Sequence, residues 1–129
     1  MKKYSCLILF VLIFTLCLSG CGEKADPIEL PLTDNISSIE IAGGIKDTII
    51  TDKETITSIV KKVAEAISTS KQSVQDVPTV SEYTRVDFVS DGNISSIFIY
   101  QENSKWYIEQ PYRGIYETDE TILKLLKDN

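Results

Sequence analysis

Apolar and polar residues alternate with different periods along this chain, and each period predicts an element. In "DKETITSIVKKVAEAIS" the apolar positions Ile56, Ile59, Val60, Val63, Ala64 and Ile67 recur at i, i+3, i+4, i+7, i+8 and i+11, the stripe of a helix with one buried face. Asp52 stands where an N-cap belongs and Glu54 falls in the positive first turn. Lys61, Lys62 and Glu65 lie off the stripe and read as its solvated side.

Elsewhere the period is two. "ISSIEIAGGIKDTIIT" holds two β-rich runs about Gly43-Gly44, a hairpin signal. A two-residue turn sets Ile39 and Ile41 opposite Thr48 and Lys46. A three-residue loop pairs Ile41 with Ile45 and Ser37 with Ile49, and is preferred. "SEYTRVDFVS", "NISSIFIYQ" and "SKWYIEQ" form three further strand candidates, the first two joined by Asp91-Gly92. That dipeptide favours a two-residue turn, which sets Ser90 against Asn93, Phe88 against Ser95, Val86 against Ile97 and Thr84 against Ile99. A two- or four-residue second link then keeps Trp106 and Ile108 on the face of Ile97 and Ile99, whereas three residues without a bulge would flip the third strand. The core face reads Thr84, Val86, Phe88, Ile97, Ile99, Trp106 and Ile108. The opposite face carries Tyr83, Arg85, Asp87, Val89, Ile94, Phe98, Tyr100, Tyr107 and Glu109. It mixes aromatics with charge, unlike an ordinary solvated face.

The segment "YIEQPYRGIYETDE" follows the last of these strands. Pro111 removes a ladder donor and Gly114 permits a sharp change of direction. Thr118 reads as the N-cap of a final short helix with Asp119 and Glu120 in its first turn and Ile122, Leu125 and Leu126 as its stripe. Tyr112, Arg113 and Tyr116 receive no structural duty from the local pattern. The order β-β-α-β-β-β-α, with a brief extra strand admissible at 114–116, predicts an α+β domain. Its largely antiparallel sheet has about five strands, with one main helix on one face and a short helix at the C-terminus.

The N-terminus changes the picture of where such a domain works. Lys2 and Lys3 precede an uncharged, mainly apolar run from Cys6 to Leu18 that ends in Ser19, Gly20 and Cys21. Thirteen residues fall short of the roughly 20 a membrane span needs, and the pattern is that of a secretory signal peptide over 1–20. Leu18-Ser19-Gly20-Cys21 resembles the bacterial lipobox, in which cleavage before the cysteine leaves its sulfur to carry a diacylglycerol. Residues 21–35 then form the lipidated cysteine and a flexible tether rich in charge and proline, and 36–129 the single domain. Cys6 and Cys17 leave with the signal, so no thiol remains for a disulfide or a metal.

Composition narrows the chemistry further. Losing two signal lysines takes the basic residues from 13 to 11 against 19 acidic ones, moving the net charge from −6 to −8 and disfavouring nucleic acid as a partner. The chain has no histidine, which excludes Ser-His-Asp and Cys-His catalysis and zinc sites of the usual type. No phosphate-binding glycine loop or EF-hand spacing occurs. No cofactor is expected. Asp87 and Glu109 share a face, and paired carboxylates can do acid–base work. The stronger candidate is the aromatic face: Tyr83, Arg85, Asp87, Phe98, Tyr100, Tyr107 and Glu109, joined by Tyr112, Arg113 and Tyr116, since Tyr and Arg favour binding hot spots. The alternative is a second small core under a covering loop or helix.

"SVQDVP" together with "IFIYQENSKWYIEQPYRGIY" resembles a family of small Gram-positive lipoproteins that share one uncharacterised C-terminal domain, with "EQPY-GIY" as its distinctive element. The resemblance implies lipidation and one α+β domain, and supplies no substrate, cofactor or catalytic residue. The expected protein is a non-enzymatic binding or interaction module. Acylated Cys21 holds it to membrane lipid on the extracytoplasmic face of a cell membrane, and it meets an envelope protein, a peptide or a small ligand. The alternatives are a carboxylate-dependent envelope hydrolase and an accessory subunit of a transporter or sensor.

Overall fold

The Asp91-Gly92 dipeptide sets the centre of the sheet. Both residues take positive φ (48° and 79°), the geometry that a two-residue hairpin turn demands. The strands on either side pair as expected: Ser90 with Asn93, Phe88 with Ser95, Val86 with Ile97 and Thr84 with Ile99. A second two-residue turn, Asn103-Ser104 (φ 50° and 64°), pairs Ile99 with Ile108 and Gln101 with Trp106. The computed structural model describes residues 22–129. The signal peptide expected over 1–20 and the lipidation expected at Cys21 lie outside the described residues.

The elements run β1 (Ile36–Ala42), β2 (Thr48–Ile50), α1 (Lys53–Ala64), β3 (Ile67–Ser68), β4 (Thr84–Ser90), β5 (Asn93–Glu102), β6 (Lys105–Gln110), β7 (Gly114–Thr118) and α2 (Thr121–Lys127). All seven strands join one sheet in the order β2-β1-β4-β5-β6-β7-β3, and every neighbouring pair is antiparallel. The fold is the α+β class expected, with two more strands. One is β7, foreshadowed at 114–116. The other is β3, taken from what the periodicity assigned to the helix. α1 ends at Ala64, and Ile67 pairs with Glu117 on the free edge of β7, leaving its side chain exposed.

Asp52 caps α1 as its position predicts, its carboxylate accepting from the Thr55 amide at 2.8 Å. Ile56, Ile59 and Val63 are fully buried and meet Ile122 and Leu126 of α2 over the sheet face made by Ile39, Ile41, Val86, Phe88, Ile97, Ile99 and Ile108. Each such Ile or Phe contributes on the order of 1.5–3 kcal/mol by leaving water. The cap of α2 differs from expectation. Thr118 ends β7, Glu120 stands at the N-cap without a side-chain bond, and Asp119 just before it accepts from the Thr121 amide at 2.9 Å and from its hydroxyl.

The first hairpin corrects both registers considered for it. Ile39 faces Ile50 and Ile41 faces Thr48, so residues 43–47 form a five-residue loop. The pair of glycines signals a tight turn, but Asp47 accepts from the Gly43 amide at 3.2 Å and closes a wider one. Gly43 and Gly44 take φ of 73° and 53° against the Tyr83-Thr84 backbone and side chain.

The segment read as a free tether is the largest departure. From Ala25 to Leu30 it is a strap docked on the helix-bearing side of the sheet. Ala25, Ile28 and Leu30 pack against the core, and the Ala25 amide donates to the Thr69 carbonyl at 3.0 Å. Gln110 holds the middle of the strap, its amide nitrogen donating to the Glu29 carbonyl at 2.7 Å and its oxygen accepting from the Glu29 amide at 2.9 Å. Gly114 is required here for space, since a Cβ at this position would overlap the Ala25 methyl.

Candidate functional site

The sheet face away from the helices is covered by the chain between β3 and β4. Thr69 starts the cover, its amide and hydroxyl both donating to the Ile115 carbonyl at 3.1 and 2.6 Å. Lys71 then lies with its ammonium 4.3 Å from the centre of the Tyr107 ring and 2.8 Å from Glu102, and that carboxylate raises the lysine's pKa. Further on, Val80 and Tyr83 pack against Tyr100, Tyr107 and Ile115. Of the two possibilities open for the aromatic face, the second small core under a covering loop is what forms around Tyr100 and Tyr107.

Within that core sits a carboxylate. Glu109 is 6 % exposed. Ser73 donates to one of its oxygens at 2.7 Å and Tyr100 to the other at 3.2 Å. Burial, reinforced by the neighbouring Glu109, pushes the Tyr100 hydroxyl well above the ordinary phenol range, so it stays a donor. Neither contact of Glu109 is a cation, and Lys71, the nearest basic residue on the loop, is engaged by Glu102. Beside the carboxylate a cavity of about 370 Å³ opens at the loop, lined by Val74, Val77, Val80, Ile115 and the Tyr100 ring together with the polar side chains of Gln72, Gln75, Thr79, Glu102 and Lys71. A carboxylate held by two neutral hydroxyls at such a mixed polar and apolar hollow retains acceptor capacity for a positively charged group.

The other residues singled out in the sequence fall into separate places. Tyr83 stands edge-on to Phe98, ring centres 5.3 Å apart, and Phe98 is buried at 3 % exposure. Arg85 and Asp87 pair at 2.9 Å, and Asp87 also accepts from Ser96 at 2.6 Å. Asp87 on β4 and Glu109 on β6 are separated by β5, roughly 10 Å at ordinary strand spacing. They serve different partners, so the sheet does not form the carboxylate pair considered from the sequence. Among the described residues no cluster of three metal-ligating side chains forms, and no helix is long and apolar enough to cross a membrane.

Tyr116 and Arg113 leave the candidate face altogether. Tyr116 is fully buried on the helix side and its hydroxyl donates to the Asp26 carbonyl. Arg113 donates to the Pro27 carbonyl at 2.7 Å and to Glu29 at 2.7 Å. Both residues hold the strap, a duty no local pattern could reveal because the partners lie over eighty positions away. Tyr112, at the tip of the β6–β7 turn with φ 58°, is 67 % exposed, and the adjacent Asp76 carboxylate raises its pKa. Sequence reasoning missed Ser73 and Lys71, which sit in an unpatterned polar stretch.

These features define a single-sheet α+β domain with a loop-covered acidic cavity on one face and an N-terminal strap on the other. The family DUF5301, described as a domain of unknown function (DUF5300), matches residues 24–117, and the chain belongs to it. The match begins at the strap, in keeping with its place in the fold. A solved structure, "NMR structure of the protein from Ruminococcus gnavus", is similar at 37 % identity with a TM-score of 0.66, covering 75 % of this chain and 99 % of that one. No curated protein matches.

Proposed function

We propose that this protein is a non-enzymatic binding module, tethered through lipidated Cys21 to the extracytoplasmic face of a cell membrane. Its site is the cavity beneath the 71–80 loop, and its ligand is a small organic cation, an amine with a short apolar body. The observation that carries this reading is Glu109. It is a buried carboxylate whose hydrogen-bond partners are the neutral hydroxyls of Ser73 and Tyr100, and it lines a cavity where valines and Ile115 alternate with Gln72, Gln75 and Thr79. An ammonium group would complete its contacts while the body of the ligand displaces water from the valines and Ile115.

The test is titration of the folded domain with butylammonium and phenethylammonium, followed by amide chemical shifts. Shifts confined to Ser73, Val80, Tyr100 and Glu109, absent with butanol and lost in Glu109→Gln, are the expected result. Equal response to amine and alcohol would remove the carboxylate from the reading. The anchor is tested separately. Cys21→Ala in the full chain should move the protein from the membrane to the soluble fraction, and retention on the membrane would overturn the lipid tether.

A further inference from the structure

Docking of the strap leaves little chain between a lipid on Cys21 and the body of the domain. The Ala25 amide is already bonded to Thr69, and Gly22 lies beside Ser70. The four steps from Cys21 to Ala25 span at most roughly 14 Å when fully extended. The strap holds to the β6–β7 turn through Arg113 and Gln110, so the end of the sheet carrying that turn is the end nearest the anchor. Opposite it, ~20 Å away along the six residues of β6, stands the Asn103-Ser104 turn.

Exposed apolar side chains concentrate at the anchored end. Tyr112 (67 %), Ile94 (59 %) and Val77 (46 %) line one open groove. Val74 joins Tyr112 at a neighbouring hollow, and Leu32 (75 %) follows directly on the strap. At this end Arg113 is engaged by Glu29, Lys71 by Glu102 and Arg85 by Asp87, and the remaining lysines, Lys24 and Lys53, stand among the acids Glu23, Asp26, Asp34 and Asp76. Attraction to anionic headgroups is therefore weak here. What the end offers is aliphatic surface with a tyrosine at its tip, the composition that settles at the boundary between headgroups and acyl chains.

We infer that this end of the domain is a membrane-contacting surface: Leu32, Ile94 and Tyr112 rest in the headgroup layer of the bilayer that the Cys21 lipid enters. The inference rests on lipidation of Cys21 and adds an orientation to it. The domain lies on the bilayer by the strap end, with the Asn103-Ser104 turn pointing away. Apolar contact and tether act together, each raising the effective concentration of the other.

The experiment uses the mature chain beginning at Cys21, whose thiol is then unique, coupled to a maleimide lipid in phosphatidylcholine bicelles that carry a paramagnetic chelate on some headgroups. Amide signals of Leu32, Ile94 and Tyr112 are expected to broaden several-fold more than those of Asn103 and Ser104, equally with and without phosphatidylglycerol. The combined variant Leu32→Ser, Ile94→Ser, Tyr112→Asn should lose the difference. All three sites are exposed, and Asn tolerates the positive φ at 112. Uniform broadening of both ends would overturn the inference, as would protection of the same residues in lipid-free protein by a second copy. Coupling is chemical, so a negative result here is distinct from failure of the Cys21→Ala test, which alone addresses native lipidation.

Discussion

Gln110 and Glu29 are 81 positions apart and exchange two hydrogen bonds, the side-chain amide of the first acting as a strand partner for the backbone of the second. One side chain thus does for the strap what a ladder does for a strand. It satisfies a donor and an acceptor on a segment whose prolines, Pro27 and Pro31, bar it from the sheet. Gln110→Ala is expected to cost about 1–3 kcal/mol. Hydrogen exchange at the Glu29 amide should quicken before the rest of the domain does. Unchanged exchange at Glu29 would mean the strap is held elsewhere.

The contact between Gly114 and Ala25 predicts a rescue. Gly114→Ala forces a methyl into the Ala25 side chain and should destabilise by about 1–3 kcal/mol through overpacking. Ala25→Gly in the same chain should restore most of that loss. A double-mutant cycle by urea denaturation measures the coupling, and additive effects would contradict the close approach.

Removing the Glu109 carboxylate leaves the Tyr100 hydroxyl buried without its acceptor. Glu109→Ala should cost about 1–3 kcal/mol for that reason, and Ser73→Ala should cost at least as much, since it leaves a buried carboxylate oxygen without its donor. Both variants should loosen the 71–80 loop, seen as faster proteolysis there, while α1 keeps its protection. Loss of α1 protection at the same rate would show that the loop and the helical side open as one unit.

One pH dependence follows from Asp119. Its pairing with Lys62 at 2.8 Å, helped by the Thr121 hydroxyl and amide, holds its carboxyl down to about 2. A group depressed in the folded state stabilises above its unfolded value and loses that contribution as pH falls through the folded one. Stability should therefore drop between about pH 4 and pH 2 more steeply than in Asp119→Asn. The pair is exposed on its acidic side, which keeps the effect below about 1 kcal/mol. Parallel acid titrations of the two proteins would refute the assignment.

How much of this was legible in the sequence depended on the reach of the interaction. The β4–β5 register was readable because Asp91-Gly92 is a complete local signal, and the Asp52 cap because its bond closes within three residues. Gly43-Gly44 misled because the same residues suit a tight turn and a five-residue loop, and the Asp47 side chain decides between them. Ile67 continued the helical stripe, yet the unpaired edge of β7 claimed it. The candidate face was half visible. Alternation placed Tyr100, Tyr107 and Glu109 together, but Ser73 and Lys71 come from a loop with no period. Tyr116 and Arg113 went to the strap, whose sequence carries prolines and charges and no pattern at all.

The sheet ends on both sides in very short strands, β2 with three residues and β3 with two. Among the described residues, then, neither border offers a run of free amides and carbonyls long enough for a neighbour to extend. Under the proposed lipid anchor, copies of such a domain would be confined to two dimensions and meet far more often than in solution. Its blunt borders let it be crowded without being stitched into fibres.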